Sequence, residues 1–221
     1  TMQPLYQAER SLIQAYVGNY QAYGLGKQFL TTAHDQQAVE HCALIDLTHL
    51  SRVGFRGQDS ANYLKELGFQ LPEKANFSIQ QENGTLVARL SATEYLILGG
   101  LSDFGESVAQ LEAHWSMTEQ QNFLLPRQDS HAWLQLTGIH IAQVMAKLCA
   151  IDLNAESFLP GHVVQTSIAR INAIIVNVSD EDAPKFNLLY DRAAAVYLWD
   201  VLVDAIREFD GQFVGVNALI S

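Results

Sequence analysis

The residues with chemical potential are few and scattered. Between Met145 and Arg170 the chain carries Cys149, Asp152 and His162, the residue types that elsewhere supply a nucleophile, an orienting carboxylate and a base. Their spacing does not assemble them. Cys149 falls on one helix face with Ile139, Ala142 and Ala146 and has no basic cluster beside it to lower its thiol pKa, so it reads as a small core hydrophobe. His34, His41 and His49 follow one another at gaps of seven and eight residues, which is not the spacing of converging metal ligands. Asp46 and Asp152 each border an apolar run, as cap and turn carboxylates do. Arg170 interrupts a strand otherwise made of Ile168, Ile171, Ile174 and Ile175 and points outward. No G-x-G-x-x-G after a strand, G-x-x-x-x-G-K-[ST], H-E-x-x-H or G-x-S-x-G occurs, so nucleotide, zinc-hydrolase and serine-hydrolase chemistry has no support.

The elements that must position these residues show a recurrence. Ala43 to Leu47 reads as a strand, and Ser51 to Gly57 alternates with Val53 and Phe55 on one face before a helix through Ala61, Leu64 and Leu67. The same pattern returns 81 positions later as Leu136-Thr-Gly138, Ala142, Met145 and Leu148. In both copies a strand turns at glycine into a helix whose inner face falls at offsets of four, seven and ten. Further strands start at Glu94 and Lys185, each followed by an amphipathic helix. The first buries Phe104, Val108, Leu111 and Trp115; the second starts at Asp191 as N-cap and buries Leu198, Leu202, Ala205 and Phe209. A short helix is expected around Glu9 to Tyr16, and Phe123, Leu124 and Leu125 are expected to be buried. The pattern predicts an α+β fold, pseudo-duplicated, with helices on one side of antiparallel or mixed sheet. No Pro-, Gly- or Ser-rich linker divides it, so residues 1–221 read as one domain with an N-terminal extension over 1–30.

Composition excludes several partner classes. Thirteen Lys and Arg against 24 Asp and Glu give a net charge of −11, which repels a phosphate backbone and speaks against nucleic acid. No apolar run is long enough for a membrane span. Two distant cysteines without a C-x-x-C, and no secretory signal at the N-terminus, predict a cytoplasmic protein with buried thiols.

Two stretches resemble known families. Ala38-Val-Glu-His41-Cys-Ala-Leu-Ile-Asp46-Leu-Thr-His49-Leu-Ser-Arg-Val-Gly-Phe-Arg-Gly57, with Gln3-Pro-Leu-Tyr6 upstream, resembles the start of the glycine cleavage T-protein, the tetrahydrofolate-dependent aminomethyltransferase. Leu148-Cys-Ala-Ile-Asp152-Leu, Phe158-Leu-Pro160-Gly161, Gln165-Thr, Ala169-Arg170 and Tyr197-Leu-Trp199-Asp resemble the gamma subunit of heterotetrameric sarcosine oxidase, a relative of the T-protein. The iron–sulfur cluster repair branch of the same group carries a K-G-C-Y-x-G-Q motif, whereas His162 follows Pro160-Gly161 here without a cysteine.

The resemblance implies duplicated ferredoxin-like halves around a folate site, tetrahydrofolate as cofactor, and subunits of a flavin-dependent amine oxidase as partners. It places a folate-type pocket at Asn83, Arg89, Tyr95 and Asn187. Three departures stand out. The place of the T-protein's catalytic Asp falls at Asn83 or Gly84, that of its pteridine-holding Glu at Asn187, and that of an Asn at Gly99-Gly100. An amide does not ionise. The sequence also stops at Ser221, before the T-protein's C-terminal barrel. The implied protein is a non-catalytic or folate-type ligand-binding subunit in amine one-carbon metabolism, with no catalytic or metal residue assigned. Two alternatives stay open: a minimal aminomethyl or methyl transferase using Asp46, Glu82 or Asp129 as base, and a stand-alone binder of another small molecule.

Overall fold

A computed structural model describes residues 11, 13, 19–24, 27–33, 35–180 and 183–220. Of the helix expected around Glu9 to Tyr16 only Ser11 and Ile13 are described, and His34 lies outside the described residues. A hairpin of β1 (Asn19–Tyr23) and β2 (Lys27–Thr31) leads through α1 (Gln36–His41) to β3 (Ala43–Asp46). Then follow β4 (Arg52–Arg56), α2 (Ser60–Glu66), β5 (Phe77–Gln80), β6 (Leu86–Arg89), β7 (Glu94–Leu98) and α3 (Glu106–His114). The remainder is β8 (Phe123–Pro126), β9 (His131–Thr137), α4 (Ile141–Ala146), β10 (Val163–Ile168), β11 (Ile171–Asn177), β12 (Lys185–Asp191), α5 (Ala195–Arg207) and β13 (Gln212–Val214).

The architecture is mixed α+β. One sheet has five strands in the order β5-β6-β7-β4-β8, the other six in the order β10-β11-β12-β9-β3-β13. Pairing is antiparallel in both, apart from β13 beside β3. β3 precedes β4 in sequence yet pairs with β9, whereas β8 precedes β9 yet pairs with β4. Each sheet therefore takes a strand from the neighbourhood of the other, β8 at the edge of the five-stranded sheet and β3 between β9 and β13 in the six-stranded one. Gly57 and Gly138 permit this: their φ values are +146° and +113°, and a Cβ there would lie 1.9 Å from Gln121 O and 2.3 Å from His41 O, just ahead of the exchanged strands. Only a residue without a side chain lets the two backbones pass.

Strand alternation sorts the core into three layers. Val53, Phe55, Val87, Tyr95 and Ile97 meet Leu64 of α2 and Val108 of α3 on the outer face of the five-stranded sheet. Leu134, Leu136 and Leu188 meet Val144 of α4 and Leu198 and Leu202 of α5 on the outer face of the six-stranded one. Between the sheets lie Ile45, Leu86, Leu96, Leu98, Trp133 and Leu189. Each such side chain contributes about 1.5–3 kcal/mol on leaving water, so both sheets are fixed from both faces.

Four expectations need correction. Phe123 is 50% exposed and Leu124 and Leu125 only half-buried, because β8 is an edge strand. Leu67 follows the end of α2 and is exposed. Phe104 precedes α3 with φ +51° and stacks on Tyr23 of the hairpin, at 5.1 Å between rings. Ala169 and Arg170 are not strand residues but a two-residue turn joining β10 to β11, with φ of 48° and 72°. Asp191 does cap its helix: its carboxylate accepts from Ala193 N at 2.8 Å in the 3-10 turn that leads into α5. Cys42 and Cys149 are buried and unpaired, and burial pushes the Cys42 thiol up to about 11. Among the described residues no helix is long and apolar enough to cross a membrane.

Candidate functional site

Strand β9 is buried on both faces, and its sequence divides them. Ala132, Leu134 and Leu136 join the core under α4 and α5, so the alternate residues His131, Trp133, Gln135 and Thr137 face the other sheet. β12 does the same with Lys185, Asn187 and Leu189, and the register sets Gln135 opposite Asn187 and Trp133 opposite Leu189.

These residues border a cavity of about 280 Å³ between the sheets. Leu86 and Leu98 of the five-stranded sheet and Trp133 of the six-stranded one form apolar walls. Gln135 and Asn187, 9% and 5% exposed, make a polar floor, with Gln135 Nε2 donating to Asn187 Oδ1 at 3.0 Å. Trp133 Nε1 is buried with no acceptor among the described residues. Lys185 and Asp180 pair at 2.5 Å on the cavity lining, and Asp180 also accepts from Ala183 N at 3.1 Å.

Leu47 and Leu50 reach the cavity from the turn after β3. A buried cation holds that turn: Arg52 Nη1 donates to Thr48 O at 2.6 Å and Leu50 O at 2.8 Å, and Nη2 donates to Gln128 O at 3.2 Å and to His131 O. Asp46 Oδ1 adds a bond from Thr48 N at 3.0 Å. The remaining rim is backbone. Gly84 and Gly100 both line the cavity, and a Cβ at Gly100 would lie 2.7 Å from Gly84 O. At Gly99 it would lie 2.5 Å from Gly105 Cα. Glycine is thus required by close approach, and these positions offer no side-chain chemistry.

The four expected pocket residues fall in different places. Asn187 lines the cavity. Asn83 does not line it: exposed, next to Gly84, it has Oδ1 accepting from Thr85 N at 3.0 Å and its carbonyl accepting from Ser102 Oγ at 2.7 Å. Arg89 and Tyr95 meet each other on the outer face of the five-stranded sheet, the guanidinium 5.5 Å from the ring centroid. Arg89 is occupied by the carbonyls of Pro72, Glu73, Ser91 and Ala92, and burial pushes the Tyr95 phenol pKa up. Gln135, Trp133, Lys185 and Asp180 are missing from the sequence expectations. For Gln135 the signal is a polar residue recurring with period two inside an otherwise apolar strand.

None of the three candidate bases lines the cavity. Asp46 is buried on the opposite face of the six-stranded sheet, its carboxyl pKa raised by burial against the bonds from Ser11 and Thr48. Glu82 and Asp129 are exposed. At the far end of the inter-sheet layer, Glu94 takes Arg127 Nη2 at 2.7 Å and Arg56 Nη2 at 2.5 Å. His131 lies near that pair and is pushed down to about 4 by burial and by Arg127 and Arg52.

Comparison with known proteins follows the same lines. The model of the GCVT N-terminal domain matches residues 11–221. Aminomethyltransferases of Listeria monocytogenes serotype 4b, strains CLIP80459 and F2365, are each 27% identical over 173 residues, which is 71% of this chain and 46% of theirs. The chain therefore spans about half the length of the curated relatives it matches. A chain of the heterotetrameric sarcosine oxidase from Corynebacterium sp. U-96, solved in complex with pyrrole 2-carboxylate, superposes with a TM-score of 0.64 at 20% identity, covering 80% of this chain and 91% of that one. The glycine cleavage system aminomethyltransferase T from Bartonella henselae gives 0.69 at 15% identity, covering 94% and 58%. At such identities the likeness is one of fold.

Proposed function

Since the chain belongs to the family of the GCVT N-terminal domain, as an aminomethyltransferase-like and sarcosine oxidase gamma-like domain, we propose that it is a folate-type ligand-binding subunit in amine one-carbon metabolism and is not itself catalytic. The chemistry of the cavity carries this reading. Its floor is two neutral amides, Gln135 and Asn187, and the carboxylate on its lining, Asp180, is engaged by Lys185 and Ala183 N. A base needs an ionisable group within reach of the proton it takes, and Asp46, Glu82 and Asp129 are elsewhere. The same lining suits a ring: Leu86, Leu98 and Trp133 offer apolar contact, and the two amides offer hydrogen bonds.

Tetrahydrofolate is the ligand this reading names, with Asn187 on its ring and Asn83 outside the lining, next to Gly84. Arg89 and Tyr95 then act behind the cavity wall, by bracing the strands that carry it. The proposed partners are subunits of a flavin-dependent amine oxidase; coverage of 91% of one chain of a heterotetrameric enzyme supports a subunit role. The net charge of −11 supports neither nucleic acid nor an anionic membrane as partner, and the proposed cytoplasmic location rests on the two unpaired cysteines. We read the fold as one domain of two duplicated ferredoxin-like halves, which the parallel strand orders and the reciprocal placement of β3 and β8 support.

Calorimetric titration with 5-formyltetrahydrofolate tests the reading. Saturable heat is expected, weakened at least tenfold in Asn187→Ala. No heat at high micromolar ligand would overturn it.

A further inference from the structure

A groove on the α4 side of the six-stranded sheet takes no part in the ligand reading. It encloses about 260 Å³ and is lined by Ile139 between β9 and α4, Ile141 of α4, Leu153 and Phe158 of the long connection to β10, and Pro184 and Phe186 at the start of β12. The ends of β11 and β12 separate it from the cavity between the sheets. Val178, Lys185 and Asn187 line that cavity, whereas Asn177, Pro184 and Phe186 line the groove.

The groove offers chiefly apolar contact. Its polar members are engaged with their own neighbours: Asn177 Nδ2 donates to Phe158 O at 2.6 Å, Asn177 Oδ1 accepts from Ser179 N at 2.9 Å, and Asp180 is held by Lys185 Nζ and Ala183 N. The apolar surface continues past the edge. Ile139 is 66% exposed, and Leu159, between the lining residues Phe158 and Pro160, is 46% exposed. A hollow edged by exposed aliphatic side chains is the form of a protein-binding surface, with an apolar centre inside a polar rim.

The rim has one sign of charge. Asp152 and Glu156 are exposed beside the lining residues Leu153 and Ala155, and no Lys or Arg occurs between Lys147 and Arg170. Among the described residues neither carboxylate is in an ion pair, and Asp152 accepts only from Asn154 and Ser157. A second copy of this chain is a poor occupant, since two surfaces of net charge −11 repel and the rim would meet its own acids. A basic segment is complementary to it.

We infer that this groove is the docking face for a partner protein, which lays an aliphatic or aromatic side chain between Ile139 and Phe158 and sets Lys or Arg against Asp152 and Glu156. The inference rests on the subunit part of the proposed function and adds the face that meets the partner and the charge the partner carries there.

A labelled model helix of Leu and Lys, titrated with the full chain at physiological salt and followed by fluorescence anisotropy, tests this. Saturable binding is expected, weakened about tenfold by Ile139→Glu or Leu159→Glu and about threefold by Asp152→Lys with Glu156→Lys. Leu67→Glu, at an exposed apolar position outside the groove, should leave it unchanged. Thermal melting reports which variants fold, and either groove variant suffices. Binding that the groove variants do not weaken, that Leu67→Glu weakens equally, or that a helix of Leu and Glu reproduces overturns the inference. A parent dimer in sedimentation that Ile139→Glu converts to monomer assigns the face to a second copy and overturns it too. No binding of the Leu and Lys helix removes the inference alone where 5-formyltetrahydrofolate still binds, because Ile139 and Leu159 do not line the ligand cavity.

Discussion

Gln135 Nε2 and Asn187 Oδ1 lie 3.0 Å apart on neighbouring strands, beside a largely apolar layer that includes Ile45, Leu86, Leu98, Trp133 and Leu189. Truncating one partner strands the other amide in a buried position. Because the remaining groups open into the cavity rather than into packed side chains, the cost stays near that of an ordinary hydrogen bond. Gln135→Leu and Asn187→Leu are each expected to lose about 1 kcal/mol. The double replacement should lose less than the sum, by about 0.5–1 kcal/mol. Urea denaturation of the four proteins measures the difference, and strict additivity would mean that the bond contributes nothing.

Gly100 and Gly84 hold the rim together by backbone contact. A methyl at Gly100 would lie 2.7 Å from Gly84 O and 2.8 Å from Gly84 C, and Gly84 has φ +85°. No side chain can rotate to relieve that approach. Gly100→Ala is expected to cost about 1–3 kcal/mol and to weaken 5-formyltetrahydrofolate at least tenfold by displacing the rim. Melting and calorimetry on the same sample separate the two effects. Lower stability with unchanged affinity would place the ligand away from this loop.

What the sequence made legible follows from local periodicity. The strand–glycine–helix pattern at Gly57 and Gly138 can be read because amphipathic spacing and a positive-φ glycine are local signals. The exchange of β3 and β8 cannot be read that way, since it pairs Ala43–Asp46 with residues about 90 positions on and Phe123–Pro126 with residues about 70 positions back. Alternation puts Arg89 with Val87 and Tyr95 with Ile97, but the choice of face toward the second sheet is tertiary. Gln135 stays hidden for the same reason: a polar residue on a strand normally marks the solvent face, and β9 has no solvent face.

The turn between β10 and β11 is built from unsuitable residues. Ala169 and Arg170 both hold positive φ, 48° and 72°, where such two-residue turns prefer Asn-Gly. The geometry is fixed by backbone bonds that any residue would keep: Ala169 N donates to Leu148 O at 2.8 Å, and Ala169 O accepts from Tyr197 Oη at 3.2 Å. Ala169→Asn with Arg170→Gly is expected to raise stability by about 1 kcal/mol. A higher urea midpoint at unchanged slope is the signature, and a lower midpoint would show that the native side chains contribute more than the turn strain costs.

Burial of His49 should make the protein acid-sensitive. It is 3% exposed, stands edge-on to Phe29, and has no partner for either ring nitrogen among the described residues. Burial, and then Arg52, Arg192 and Lys27, push it down to about 4. In the unfolded chain it titrates near its ordinary value of about 6.5. Between these values the unfolded state binds the extra proton, so stability rises with pH across the window and is lost as pH falls through it. His131, depressed to about 4, acts with the same sign. Since His49 makes no hydrogen bond among the described residues, His49→Phe strands no partner there. The variant should be at least as stable at pH 7 and should lose about 2 kcal/mol less than the parent between pH 6.5 and pH 4. Urea midpoints at half-unit steps of pH give both curves, and parallel curves would assign the acid sensitivity to other groups.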